Sequence, residues 1–279
     1  MKPRASRAQA ILACTVAALA AVVIVACGDE EAQTLTFTIT DQGKGAKISG
    51  PESAETGLAE ITLENKSKGE GDMQLIRVEG DHSSEEVIKG LENAMDGKPL
   101  PDWFFAGGGM GSIPSGGNAT VTQVLKPGAY YAFDTEARRP NADTVAAVEV
   151  TGDESDEEIP GGDATVSAAE YSFEANELPS GKVEIDFENG GAQPHHMLAA
   201  KIVGDATIED VERSLKSNTG EPPLSEDTFQ GTAVIEGGEG QAVTFDLKPG
   251  RYAFYCFVSD RQGGPPHALK GMVNEVVVK

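Results

Sequence analysis

The chain repeats itself, and the repeat limits the folds open to it. Glu64-Asn65 matches Glu188-Asn189 at an offset of 124 residues. Without a gap the same offset pairs Met73 with Met197, Gly80-Asp81 with Gly204-Asp205, Val87 with Val211 and Leu91 with Leu215. After a net gap of two residues, Leu125-Lys126-Pro127-Gly128 matches Leu247-Lys248-Pro249-Gly250, and Tyr130 matches Tyr252. Agreements in one order along the chain mark an internal duplication, so each element of one half has a counterpart in the other. Between the halves, Gly152 to Gly162 is acidic, Gly-rich and free of periodicity, which reads as an exposed linker. The length suits two domains of ordinary size.

Within each copy the pattern is mostly that of strands. Leu35 to Ile39, Val183 to Phe187 and Val243 to Leu247 alternate apolar with polar residues, as half-buried strands do. Turn signals separate them at Pro179-Ser180-Gly181, Asn189-Gly190-Gly191, Gly237-Gly238 and Pro249-Gly250. One helix interrupts each copy. Thr207-Ile208-Glu209-Asp210 has the form of a capping box, with Ile208, Val211 and Leu215 in one apolar stripe, and Ser83 to Met95 is its counterpart. The expected fold class is all-β: two tandem antiparallel sandwiches, each with one inserted helix.

The first 26 residues read as an export leader. Lys2, Arg4 and Arg7 precede an apolar run from Ala10 to Ala26. The run ends Ile24-Val25-Ala26-Cys27-Gly28, which resembles a bacterial lipobox with Cys27 as the lipidated first mature residue. An uncleaved anchor is the alternative, and either places the rest of the chain outside the cytoplasm. The expected organisation is a signal peptide over 1–26, a tether over 27–33, domains over 34–151 and 163–279, and the linker over 152–162. Removing the leader's three positive charges takes the formal net charge from −23 to −26. Such a balance repels nucleic acid and anionic headgroups and favours a basic partner.

Of three cysteines, Cys14 leaves with the leader and Cys27 takes lipid, so Cys256 has no disulfide partner. It is either a buried inert thiol or a metal ligand. Its neighbours favour the ligand: Cys256, His267 and Met272 follow each other closely, and His195 lies upstream after Pro194. Two imidazoles, a thiolate and a distant thioether are the donor set of a mononuclear copper centre with a trigonal His₂Cys plane and a weak axial Met. Zinc also takes Cys and His, but Met serves it poorly and no further His or carboxylate replaces it. In the first half the offsets place Gly71, Asp72 and Asp134 opposite His195, His196 and Cys256, so that copy holds none of the ligands. Its one histidine, His82, reads as a surface or capping residue before the helix. Trp103-Phe104-Phe105 beside Gly107-Gly108-Gly109 reads as an aromatic cluster, buried or exposed as a contact patch.

Taken together, these residues resemble the cupredoxins, most closely plastocyanin-like domains. Asn189-Gly190-Gly191-Ala192-Gln193-Pro194-His195 is similar to the segment carrying the first histidine ligand. Tyr252 to Cys256 is similar to the strand that delivers the thiolate, and His267 to Val273 with Val276 to Val278 to the closing loop and last strand. The resemblance covers residues 163 to 279 and implies an eight-stranded Greek-key sandwich with type 1 copper at one end. There are two departures. Ten residues, Phe257 to Pro266, separate the cysteine from the second histidine where the family has a few, and His196 stands where a plastocyanin-like site has asparagine. His195 is the expected ligand, with His196 a supporting group or the alternative ligand.

The expected function is single-electron transfer between redox partners by a membrane-anchored, extracytoplasmic copper protein. A cell-surface copper-binding or delivery protein and a metal-free interaction module are the alternatives. Multicopper oxidases and nitrite reductases need more histidines than the four in this chain, and no hydrolase or phosphate-binding motif occurs, so no enzyme is expected.

Overall fold

In the computed structural model, residues 32–43, 45–136, 141, 144–217 and 220–279 are described; the expected leader and the lipidation site at Cys27 lie outside them. The alternating segments form strands. In β1 (Gln33–Gln42) Leu35, Phe37 and Ile39 turn inward between outward threonines, and in β12 (Gly181–Asn189) Val183, Ile185 and Phe187 do the same. The first half continues as β2 (Gly45–Ser49), β3 (Ser53–Glu55), β4 (Gly57–Asn65), β5 (Gly71–Val78), α1 (Ser84–Met95), β6 (Phe104–Ile113), β7 (Asn118–Leu125), β8 (Gly128–Phe133) and β9 (Ala146–Thr151). The second comprises β10 (Ala164–Ala169), β11 (Ser172–Ala175), β12, β13 (Leu198–Lys201), α2 (Ile208–Ser217), β14 (Gln230–Gly231), β15 (Gly240–Leu247), β16 (Gly250–Tyr255) and β17 (Val273–Val278).

Each half is a pair of facing sheets in matching order. The first has β2-β1-β4-β7 over β3-β9-β8-β5-β6, and the second β11-β10-β12-β15 over β14-β13-β16-β17. Most neighbours are antiparallel. Three pairs run parallel, β1 with β4, β3 with β9 and β10 with β12. The first and last of these do so because the chain leaves the sheet after a hairpin, touches the facing sheet at β3 or at Leu178, and returns in its original direction. The helices are capped as their sequences require. Ser83 and Glu86 form a reciprocal box on α1, and Thr207 and Asp210 exchange the same bonds on α2. Behind them, Tyr130 accepts from Lys126 N and Tyr252 from Lys248 N, both at 3.1 Å.

The halves are joined edge to edge. β7 pairs with β15 through Val121 to Gln123 and Val243 to Gln241, which makes one continuous eight-stranded sheet. A second seam runs along β6, where Gly108 N donates to Val234 O at 3.0 Å and Gln74 exchanges two hydrogen bonds with the Val234 backbone. Gly111 allows the approach, since a Cβ there would lie 1.9 Å from Gly231 O. One core cluster runs from Ile39 and Ile61 through Phe187 to Cys256 and Met272. The acidic segment between the halves is pinned at two points: Leu58 N donates to Glu157 at 2.7 Å and Gly162 N to Asp186 at 2.8 Å. The aromatic run of the first half packs inward. Phe104 is buried under α1, Trp103 stacks on His82 at 3.8 Å, and Phe105 lies beneath Arg77 and Arg261.

Candidate metal centre

Three segments converge at one end of the second half. Asn189, at the end of β12, shapes the first. Its Nδ2 donates to Gln193 O at 2.8 Å and Ile235 O at 3.2 Å, while its Oδ1 accepts from Gly191 N at 3.0 Å. The resulting turn delivers His195, whose N–H and C=O both bond Ile235. Cys256 follows β16 directly. His267 opens a short 3₁₀ turn, His267–Lys270, that closes on Gly271 in a left-handed conformation.

The side chains of His195, Cys256 and His267 meet. Cys256 Sγ lies 3.6 Å from His267 Nδ1 and 3.8 Å from His195 Nδ1, and the two nitrogens are 3.0 Å apart. All three residues are fully buried. These separations suit donors held ~2.0–2.3 Å from a common centre. Among the described residues this is the cluster whose donor atoms all lie within 4.8 Å of one another. Met272, also fully buried, is strung between two of its members: its N–H donates to His267 O at 3.0 Å and its C=O accepts from Cys256 N at 3.3 Å. His196 turns away, and its Nε2 accepts from Phe257 N at 2.9 Å. In the first half Asp72 makes the corresponding bond to Thr135 N at 2.6 Å.

The electrostatics suit a soft cation. Burial pushes the Cys256 thiol up to about 12, although the backbone N–H groups of His196 and Val258 pull it back. Burial, then the neighbouring His267, lowers His195 to about 4, and burial also lowers His267. Both imidazoles are therefore neutral with a lone pair to offer, and a bound metal must displace the thiol proton. His267 Nε2 donates to Asp260 Oδ1 at 2.9 Å, which leaves Nδ1 free for the centre. His195 Nε2 is buried without a partner, so the polar contacts that orient that ring lie on its Nδ1 side. Two lone pairs and a sulfur facing one another in a closed pocket are a chelate for copper, and copper supplies a one-electron couple when bound.

Around His267 lies a shell with no sequence motif to signal it. Asp260 bonds Lys270 Nζ and the Tyr171 hydroxyl (3.1 Å), and Lys270 also donates to that hydroxyl at 3.1 Å. Burial alone would raise the Asp260 carboxyl, but its bonds to Lys270, Tyr171 and His267 hold it below the usual range. The Tyr171 ring meets His267 edge-on at 5.2 Å from a backbone with φ of +64°. A left-handed tyrosine costs about 1–3 kcal/mol, which these contacts offset. The unusual length of the Cys256–His267 loop was the one available signal.

Residues 162–279 match the family model for copper binding proteins of the plastocyanin/azurin family. The second half of the chain thus carries a cupredoxin domain, and its buried cluster of His195, Cys256 and His267 matches a type 1 copper site. Among solved structures, auracyanin B is 25% identical over 41% of this chain and 86% of its own, with a TM-score of 0.28. Dithionite-reduced auracyanin from the photosynthetic bacterium Roseiflexus castenholzii is 24% identical over 41% of this chain and 94% of its own, with a TM-score of 0.28. A multicopper oxidase, mgLAC, is 13% identical over 89% of this chain and 87% of its own, with a TM-score of 0.26. A comparison with curated proteins finds no match.

Proposed function

We propose that the chain is a one-electron carrier, held to the outer face of a bacterial membrane by lipid on Cys27, with copper bound by His195, Cys256, His267 and Met272. The observation that carries this is the closure of the site. The three meeting ligands are fully buried, so no substrate can reach a coordination position, whereas an electron can still tunnel. A closed site also favours a carrier over an enzyme and over a delivery protein, which must let the metal leave. Support for a basic redox partner comes from a groove of ≈ 1140 Å³ lined by Glu70, Glu221, Glu226, Asp227, Phe229 and Tyr255, the last being the residue before Cys256. Among the described residues no helix is long and apolar enough to cross a membrane, and anchoring is assigned to the leader motif.

We infer the domain limits 34–151 and 163–279, with 152–162 between them, and descent of both from one duplicated unit. Support comes from paired bonds. Asn65 repeats all three contacts of Asn189, Tyr130 repeats that of Tyr252, and Asp72 repeats that of His196. Titration of the full chain with Cu(II) tests the function. An intense visible thiolate band at one equivalent, bleached by mild reductant and restored by oxidant, is expected. Binding without reversible reduction would move the assignment to copper delivery, and no binding of Cu(II) or Cu(I) to a metal-free module.

A further inference from the structure

The ten-residue loop between Cys256 and His267 does not stand free; the other half of the molecule holds it. Leu100 N donates to Arg261 O at 2.8 Å, and Arg261 Nη2 donates to Pro101 O at 3.0 Å. Gly264 N donates to Gly97 O at 3.1 Å, and a Cβ at Gly263 would meet Gly97 O at 2.8 Å. The Arg261 guanidinium lies 4.9 Å above the Phe105 ring, and its Nη1 pairs with Glu236 at 3.0 Å. That pair is only 17% and 11% exposed, and the same Glu236 oxygen accepts from Ala106 N in β6 at 3.0 Å. Arg261 N in turn donates to Gln193, two residues before His195. Arg261 is thus tied to the segment 100–106 and to the approach of the first histidine, while its chain neighbour Asp260 bonds His267 Nε2.

We propose that the ligand-free half is the anchor of the copper loop: Arg261 fastens residues 257–266 to residues 97–106 and thereby keeps Asp260 against His267. Arg261 is a positioning residue, because it touches no ligand atom and acts through Asp260 and Gln193. A loop longer than chain closure needs would otherwise sample many states and leave the His267 ring free to turn. The anchor removes that freedom, so the first half sets the geometry of a centre to which it gives no ligand. The spectroscopic part of this inference rests on the copper site; the anchoring itself does not.

The test uses the full chain. Arg261→Met alone strands Glu236 as a buried charge, so the working variant is Arg261→Met with Glu236→Gln, which keeps the acceptor for Ala106 N. In metal-free protein, amide exchange at 257–266 and at 97–105 should rise together by about tenfold, with β10, β12 and β17 unchanged. In copper-loaded protein the paramagnetic spectrum and the reduction potential should move toward those of Asp260→Asn, and adding Asp260→Asn to the double variant should move them no further. A role in stability alone would lower the melting temperature and leave both signals in place. Faster exchange confined to 257–266, or no change in either segment, would overturn the proposal. Should the double variant not fold, Phe105→Leu keeps the ion pair and gives the same joint exchange readout at smaller amplitude. If the wild type takes up no copper, the electron-carrier function falls, while the exchange result still decides the anchor.

Discussion

At the level of single residues, the site depends on what lies behind each donor. His267 is set by Asp260 on its far nitrogen, His195 by its place beside Ile235, and Cys256 by burial with two amides facing its sulfur. Cys256→Ser should abolish the visible thiolate band; copper uptake with an unchanged spectrum would remove Cys256 from the site. Met272→Leu should retain copper and raise the reduction potential, because loss of a weak thioether donor disfavours the oxidised ion; voltammetry of the two proteins checks it. In the first half, Asp72 occupies the place of His196 but carries a pKa pushed up to about 7, chiefly by burial and in part by Asp134. Its native form thus holds a proton more tightly than the unfolded chain does. Stability is therefore lost as pH rises from about 4 through about 7. Asp72→Asn, which can still accept from Thr135 N, should cancel that loss. Melting temperatures across this range should fall for the wild type relative to the variant, and parallel curves would show that Asp72 does not titrate there.

At the level of elements, the two halves provide a matched experiment. Asn65 and Asn189 each end a strand and hold the following turn with the same three hydrogen bonds. Replacing either by Ala leaves buried backbone groups without partners and should cost about 2–3 kcal/mol in urea unfolding. Only Asn189→Ala should also weaken copper binding, since only its turn delivers a ligand. Equal copper affinity in both variants would mean that the Asn189 turn does not position His195.

At the level of the molecule, the shared sheet and the common core predict cooperative unfolding. Trp103, the single tryptophan, lies in the first half and the copper chromophore in the second. Their thermal transitions should coincide; two separated transitions would show halves that fold independently. Gly111→Val forces a side chain onto the Gly231 backbone at the seam and should cost ~3 kcal/mol or more, lowering both transitions together. A fragment of residues 163–279 would expose the edge of β15 that β7 covers, which invites aggregation.

Some of this was legible in the chain itself. Alternation placed Leu35, Phe37 and Ile39 on the inner face, because a strand's two faces differ by one residue in register. Capping boxes placed both helix starts, because local hydrogen bonds need only neighbouring residues. That His195, Cys256 and His267 could share one centre was readable because metal chemistry is carried by side-chain identity, and the fold brings these three together. The tertiary structure alone decided the rest. Backbone pairing between β7 and β15 leaves no mark in the pattern, since edges bond through peptide groups common to all residues. Tyr171, Asp260, Lys270 and Arg261 gain their roles from neighbours distant in the chain. Of the two adjacent histidines, the sequence allowed either to face the centre; only the folded backbone turns His195 toward the sulfur and His196 toward Phe257 N.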